Sequence, residues 1–125
     1  MKLRIRGDSL RLRLTRSEID RLCEQGRVAQ SIHFGPGPAL EYAIALAEQS
    51  SIEARFDGAT ITVVVPRALA IAWASGDEVG LSHAQALPEG ELRLLIEKDF
   101  HCLVPRGEQD DDAFPHPKAG SDASC

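Results

Sequence analysis

Four side chains near the C-terminal end of the chain have the chemistry of transition-metal ligands. They are His101, Cys102, His116 and Cys125. Thiolate sulfur and imidazole nitrogen are the usual ligands of zinc and copper. Zinc signatures place paired ligands about two to five residues apart, whereas thirteen residues separate Cys102 from His116 and eight separate His116 from Cys125. Two interpretations stay open: a zinc or copper site, or one buried cysteine beside exposed tail residues.

A strip of cationic side chains near the N-terminus could instead bind an anion. Its members are Lys2, Arg4, Arg6, Arg11 and Arg13, which alternate with leucine and isoleucine and so share one face of two strands. Such a surface can contact phosphates, but a net charge of -5 and an aromatic content of 5% argue against nucleic acid. Pairing with Glu91, Glu97 and Asp99 of the last strand, or with the acidic tail, fits the strip equally well.

Enzymatic chemistry has weaker support in the sequence. Cysteine catalysis needs a thiolate and a base in contact, so Cys102 would require His33, His83 or His116 beside it in the fold. A small-molecule site between two halves of the chain, with His33 near His83, is a further hypothesis. The chain has no phosphate-binding loop, dinucleotide glycine pattern, nucleophile elbow or zinc-protease helix. Asp110–Asp112 lacks the glycine and glutamate of a calcium loop, so we interpret it as a solvated acidic run.

The elements that would position these residues begin with a hairpin. Apolar residues alternate with cations on both sides of a Gly7-Asp8-Ser9 turn. Thr15 to Glu18 has the capping-box spacing that starts a helix, and Gly26 can end it in the left-handed conformation. A strand from about Val28 to Phe34 and a Gly-Pro loop follow. We favour a strand over a helix for residues 39–49, because apolar residues alternate there.

The second half of the chain predicts the same succession. Asp57-Gly58 is a strong hairpin turn between an alternating segment and a β-branched run. Pro66 suits the first turn of a helix that ends at Gly76. The apolar face of this helix is predicted to comprise Leu69, Ala72 and Trp73. Two further strands then contain the apolar residues Val79, Leu81, Leu92, Leu94 and Ile96.

The order of these elements suggests an internal duplication. A shift of 51 residues without a gap superposes Arg4 on Arg55 and Val28 on Val79. The sequence therefore predicts an α+β fold in which two pseudo-symmetric ββαββ repeats, at about residues 1–48 and 51–99, form a mainly antiparallel sheet or partly open barrel with two short helices. A single domain would span residues 1–103, followed by an irregular, acidic, proline-containing tail over residues 104–125.

The tail has one feature that predicts docking. Phe114 lies between the acidic run and the segment Pro115-His116-Pro117. Burial of one phenylalanine contributes about 1.5 to 3 kcal/mol. This contribution offsets much of the entropy cost of ordering a few residues that prolines already restrict, but not the cost of ordering the whole tail. We expect Phe114 to anchor the tail on the domain and to bring Cys125 toward Cys102. A fully disordered tail is the alternative.

Length and composition limit the class of protein. A chain of 125 residues with 43% apolar and 26% charged side chains has enough hydrophobic content for one compact domain. No apolar run reaches the roughly 20 residues that cross a bilayer, and the charged first residues lack a signal peptide's apolar stretch. Three cysteines are too few, and odd in number, for a disulfide framework. We therefore expect a cytoplasmic protein without membrane association.

Four segments carry a resemblance to a known family. They are Met1–Gly7, Ser9–Thr15, Glu97–Leu103 and Phe114–Pro117. With these segments the chain resembles a family of short uncharacterised bacterial proteins over nearly its whole length. The resemblance implies a bacterial source and a tail that belongs to the protein, and it implies no activity.

The charge distribution completes the functional prediction. Residues 1–27 hold eight Lys and Arg against four acidic residues, whereas the remainder holds six against fifteen. Such asymmetry can attract a partner. Together with the missing enzyme signatures, it predicts a non-enzymatic interaction or accessory module, homodimeric through a sheet edge or through the acidic tail. A zinc- or copper-binding accessory protein is the alternative, ahead of a small-molecule enzyme.

Overall fold

The computed structural model describes residues 1–100, which contain two helices and eight strands. The first half comprises β1 (Lys2–Ile5), β2 (Ser9–Leu14), α1 (Arg16–Gln25), β3 (Arg27–Ile32) and β4 (Leu40–Ala47). The second half comprises β5 (Glu53–Asp57), β6 (Thr60–Pro66), α2 (Arg67–Ser75), β7 (Gly80–Leu87) and β8 (Gly90–Lys98). Neither helix in this range has the length and apolar character needed to cross a membrane.

The strands form two four-stranded sheets of mixed direction. The first has the order β1-β2-β8-β7 and the second the order β3-β4-β6-β5. In each sheet a central parallel pair, β2 with β8 or β4 with β6, is flanked by antiparallel neighbours. The α+β class is confirmed. Four of the six strand pairings are antiparallel, as predicted. The prediction of one sheet or a partly open barrel is corrected, because the described strands form two separate mixed sheets and no closed barrel.

Three local predictions for the first half are confirmed, whereas the strand predicted to reach Phe34 ends at Ile32. The Thr15 hydroxyl accepts the N–H of Glu18 while the Glu18 carboxylate accepts the N–H of Thr15, which completes the capping box of α1. Gly26 ends this helix with a φ of 80°, in the left-handed region. Residues 40–47 form strand β4, so the preference for a strand over a helix is also confirmed.

The predicted apolar face of α2 is partly wrong. The structure buries Ala70 and Trp73, whereas Leu69 is 40% exposed and Ala72 is exposed. Ala70 and Trp73 are three residues apart and so lie on one side of the helix. The side chains of this helix are apolar on nearly every side, so its own sequence does not specify which side is buried. Packing against α1 and the second sheet selects that side. Val79, predicted in a strand, precedes β7 and is exposed.

Both sheets contribute to one hydrophobic core. One row across the first sheet consists of Leu3, Leu12, Ile96 and Leu81, and the matching row across the second consists of Ala54, Val63, Ile44 and Val28. Ile19, Leu22 and Trp73 of the two helices belong to the same cluster. Because successive strand residues point to opposite faces, the residues between these rows face away from the core.

Side-chain hydrogen bonds join the two sheets at two places. The Gln85 side chain on β7 accepts the Ala54 N–H at 2.7 Å and donates to the Ala54 carbonyl at 3.1 Å. It thereby satisfies both backbone groups of a residue on edge strand β5. On the other side, the Tyr42 hydroxyl donates to the Met1 carbonyl at 3.3 Å. These bonds align β7 with β5 and the start of β1 with β4.

A buried ion pair holds the beginning of β1. The Met1 side chain is fully buried, and the α-ammonium group of this residue donates to the Glu18 carboxylate. Burial alone raises the pKa of Glu18, but hydrogen bonds from the ammonium group and from Thr15 outweigh it, so the pKa is lowered. The pair therefore ties the strand that carries Arg4 to the capped end of α1.

Candidate functional site

A cleft opens on the face of the first sheet that points away from the core. Its volume is about 780 Å³. The charged side chains that line it are Arg4, Arg6, Arg11, Arg93 and Glu91. We call it the arginine cleft. Four arginines against one glutamate amount to a formal charge of +3, opposite in sign to the net charge of -5 for the whole chain.

The strand register explains why side chains distant in sequence meet in this cleft. Arg4 of β1 lies directly opposite Arg11 of β2. Strand β8 then runs parallel to β2 and places Arg93 beside Ser9, whose carbonyl accepts the Arg6 N–H at 3.1 Å. Because alternate residues of a strand share a face, the register gathers the four arginines on one side of the sheet.

Two of these arginines have no carboxylate partner within residues 1–100. They are Arg4 and Arg6, both exposed. Arg11 is paired, since its Nε lies 2.5 Å from the Glu97 carboxylate. Arg93 has a looser contact with exposed Glu91 at 3.7 Å. A guanidinium group offers a planar pair of N–H donors that match a carboxylate or phosphate, so the chemistry of this arrangement is anion binding.

The opposite end of the predicted cationic strip is neutralised by the last strand. The Glu97 carboxylate lies 3.5 Å from Arg13 as well as beside Arg11, and Asp99 lies 3.6 Å from Lys2. Burial alone raises the pKa of Glu97, but the two arginines outweigh it and lower the pKa. The structure thus pairs the strip with Glu97 and Asp99, whereas Glu91 contacts Arg93 instead. Within residues 1–100, one end of the strip is therefore paired with carboxylates, whereas Arg4 and Arg6 at the other end are not.

Arg93 is the cleft residue that was not among the predicted basic residues. The position of Arg93 on the strand was predictable from the sequence, because Glu91, Arg93 and Leu95 alternate with the apolar residues that face the core. This alternation assigns Arg93 to the outer face of its strand. The missing information was the neighbour of that strand, since only the parallel pairing of β8 with β2 brings Arg93 to the cationic strip.

The other predicted site residues are not assembled in the described part of the chain. The metal-ligand candidates His101, Cys102, His116 and Cys125 and the anchor Phe114 lie outside the described residues. Residues 1–100 contain no group of three or more His, Cys, Asp or Glu side chains arranged to hold a metal ion. Cys23 is a half-buried free thiol, and burial together with Asp20 and Glu24 raises its pKa.

The two histidines of the enzyme hypothesis lie on different sheets. His83 belongs to β7 and borders the arginine cleft, but its register partner is the buried Leu94, so its side chain lies on the core-facing side of the sheet. His33 follows β3 in the second sheet, is exposed, and does not line that cleft. The structure therefore does not bring the two imidazoles together in this site.

Comparison with known proteins adds a family assignment. Neither a curated protein nor a solved structure matches the chain. A family model described as a family of unknown function (DUF7009) matches residues 1–118, which include every strand of the cleft. The chain therefore belongs to this family of unknown function.

Proposed function

We propose that the protein is a small non-enzymatic interaction module that binds a carboxylate-rich segment of a partner protein in the arginine cleft. The observation that carries this proposal is the pair Arg4 and Arg6, which lack carboxylate partners within residues 1–100 and line a concave surface of charge +3. Unpaired charges that converge on a concave surface attract and orient a ligand of opposite charge.

The spacing of the two arginines favours an extended peptide. Arg4 and Arg6 are two residues apart on one face, so their Cα atoms are separated by about 7 Å. An extended segment with acidic residues at alternate positions repeats its carboxylates at the same interval. Nucleic acid fits less well, because no Phe, Tyr or Trp within residues 1–100 lines the cleft and the whole chain has a net charge of -5.

Removal of the two unpaired cations is expected to weaken peptide binding. We expect a fluorescein-labelled oligo-aspartate peptide to bind the full-length protein at low salt, and to bind the Arg4→Gln/Arg6→Gln variant about 5- to 30-fold more weakly. This range corresponds to about 0.5 to 1 kcal/mol for each exposed charge pair. Fluorescence anisotropy measures the Kd, which should rise with salt because exposed charges are screened.

A matched variant distinguishes the loss of the cleft cations from a change in net charge alone. Arg16→Gln/Arg21→Gln removes the same charge from exposed positions of α1 and should change the Kd by no more than about twofold. Equal weakening by both double variants would contradict the assignment of binding to the cleft. Tighter binding of a single-stranded oligonucleotide of equal charge, lost in the Arg4→Gln/Arg6→Gln variant, would contradict a peptide ligand.

We also propose that the module consists of two ββαββ repeats at about residues 1–48 and 51–99. When strands β1 to β4 are matched in order with β5 to β8, the strand order of the first sheet becomes that of the second. This correspondence supports the symmetry. In the core rows Leu12 corresponds to Val63, Ile96 to Ile44 and Leu81 to Val28. A gapless shift of 51 residues pairs Val28 with Val79 instead. The correspondence therefore needs two extra residues in the second unit before Leu81 and one fewer between Leu81 and Ile96.

A second copy of the chain is one protein partner that fits this proposal. Strand β1 lies at an edge of the first sheet, and its last residue, Ile5, is 59% exposed; an unpaired strand edge can pair with a strand of another chain. We propose a homodimer in the bacterial cytoplasm, where the small odd number of cysteines would stay reduced. Light scattering measures the oligomeric state, and a monomer would contradict the dimer.

Zinc or copper binding is the alternative proposal. Its candidate ligands are His101, Cys102, His116 and Cys125, whose side-chain types support it. Elemental analysis of protein purified without a histidine tag tests this proposal. Stoichiometric zinc or copper that is lost in a Cys102→Ser variant would support it, and metal-free protein would contradict it.

A further inference from the structure

We infer that the chain's own acidic run, Asp110–Asp112, occupies the arginine cleft and competes there with outside ligands. This inference rests on the proposed function, because it assigns an internal competitor to the same site. The charges are complementary: the cleft lining has a formal charge of +3. Residues 101–125 contain five acidic residues against Arg106 and Lys118, a formal charge of -3.

The length of the chain after β8 allows the run to reach the cleft. Strand β8 ends at Lys98, and Arg93 lies five strand residues back along the sheet, a distance of about 17 Å. Residues 99–109 can span up to about 36 Å when extended. The chain therefore has enough length to turn at the end of β8 and return along the outer face to the level of Arg93.

The spacing of the carboxylates also fits. Asp110 and Asp112 are two residues apart, and an extended segment would place their carboxylates on one side at the interval of Arg4 and Arg6. Pro115 and Pro117 restrict the nearby backbone, which lowers the entropy lost when the segment is ordered. The run is thus a charge-matched ligand that is tethered to its own site.

Tethering predicts competition with any outside ligand. A segment on a short linker has an effective concentration in the millimolar range, and an occupied cleft binds an outside ligand only in proportion to its free fraction. We expect the Asp110→Asn/Asp111→Asn/Asp112→Asn variant of the full-length protein to bind the oligo-aspartate peptide about 3- to 10-fold more tightly than the unmodified chain. Equal affinity of the two proteins would overturn the inference while leaving the proposed function intact.

A second measurement detects the contact without an outside peptide. In backbone amide NMR spectra of the full-length chain, the triple asparagine variant should shift the amides of Arg4, Arg6 and Arg93. The variant Asp20→Asn/Glu24→Gln/Asp77→Asn, which removes three exposed charges elsewhere, should not shift them. Reciprocally, Arg4→Gln/Arg6→Gln should shift the amides of residues 108–116.

The outcomes separate the two proposals. Shifts confined to these amides and independent of protein concentration support intramolecular docking, whether or not the outside peptide binds. Unshifted cleft amides in the triple asparagine variant would overturn it. Shifts that disappear on dilution would also overturn it, because they would assign the run to the cleft of a second copy.

Discussion

Glu18→Ala is expected to lower the free energy of unfolding by about 3 to 5 kcal/mol. The substitution leaves the Met1 ammonium group of a buried ion pair without its counter-charge. It also removes the carboxylate that accepts the Thr15 N–H at 2.9 Å, so α1 loses half of its capping box. Urea denaturation at neutral pH measures the change.

The exposed Glu24 on the same helix provides the control for this prediction. Glu24→Ala should change the free energy of unfolding by less than about 0.5 kcal/mol. A loss of similar size in both variants would contradict the stabilising role of the ion pair. Because the pair holds the start of β1, Glu18→Ala should also weaken binding in the arginine cleft, through displacement of Arg4 and Arg6.

The same ion pair makes the stability depend on pH. The pKa of Glu18 is lower in the folded protein than its ordinary value of 4.5. Its contribution is therefore fully present above that ordinary value and is lost as the pH falls through the folded-state value. The pKa of Glu97 is also lowered in the folded protein, so its contribution to stability is lost in the same direction of pH. Stability should decline on acidification below about pH 4.5, and this decline should be smaller in Glu18→Gln than in the unmodified protein.

Ile96→Ala is expected to lower the free energy of unfolding by about 3 to 4 kcal/mol. Ile96 is 1% exposed and lies on β8 between Leu12 and Leu81. Removal of its side-chain atoms forfeits their burial and leaves a cavity, because close-packed neighbours relax only in part. A loss of this size is a large fraction of the total stability of a small domain. Thermal and urea unfolding, followed by the fluorescence of the single Trp73, measure it.

Two further variants test the basis of this effect. Ile5→Ala, at a position that is 59% exposed, should cost less than about 1 kcal/mol. Ile44→Ala, at the corresponding position of the second sheet, should cost about as much as Ile96→Ala, since Ile44 is fully buried. A small loss for Ile96→Ala would show that the first sheet is not packed as described.

The cleft depends on strands from both ends of the described chain. Arg4 of β1 and Arg6 just after it have no carboxylate partner within residues 1–100, whereas Arg93 and the neutralising Glu97 come from β8. The parallel pairing of β2 with β8 places these groups beside one another. Loss of packing in the first sheet would therefore separate the charges on which the proposed binding rests.

Local physical chemistry in the sequence determined most of the individual elements. Thr15 and Glu18 start α1 because their side chains satisfy amide groups within the same turn, and Gly26 ends it because glycine adopts a positive φ without strain. Strand β4 was predictable from alternation alone. The alternating cations likewise assigned Arg4 and Arg6 to a polar face, since that face depends only on the period of the strand.

Tertiary structure decided which of these elements meet. Alternation is the same for parallel and antiparallel neighbours, so the sequence could not specify that β2 pairs with β8 or that Arg93 joins the cleft. The sequence also could not specify that Ala70 is buried and Leu69 exposed, because α2 has apolar side chains on nearly every side. The division of the cationic strip depended on where Glu97 and Asp99 came to lie. Such choices depend on contacts between residues distant in the chain, whereas caps, turns and strand periods depend on neighbours a few residues apart.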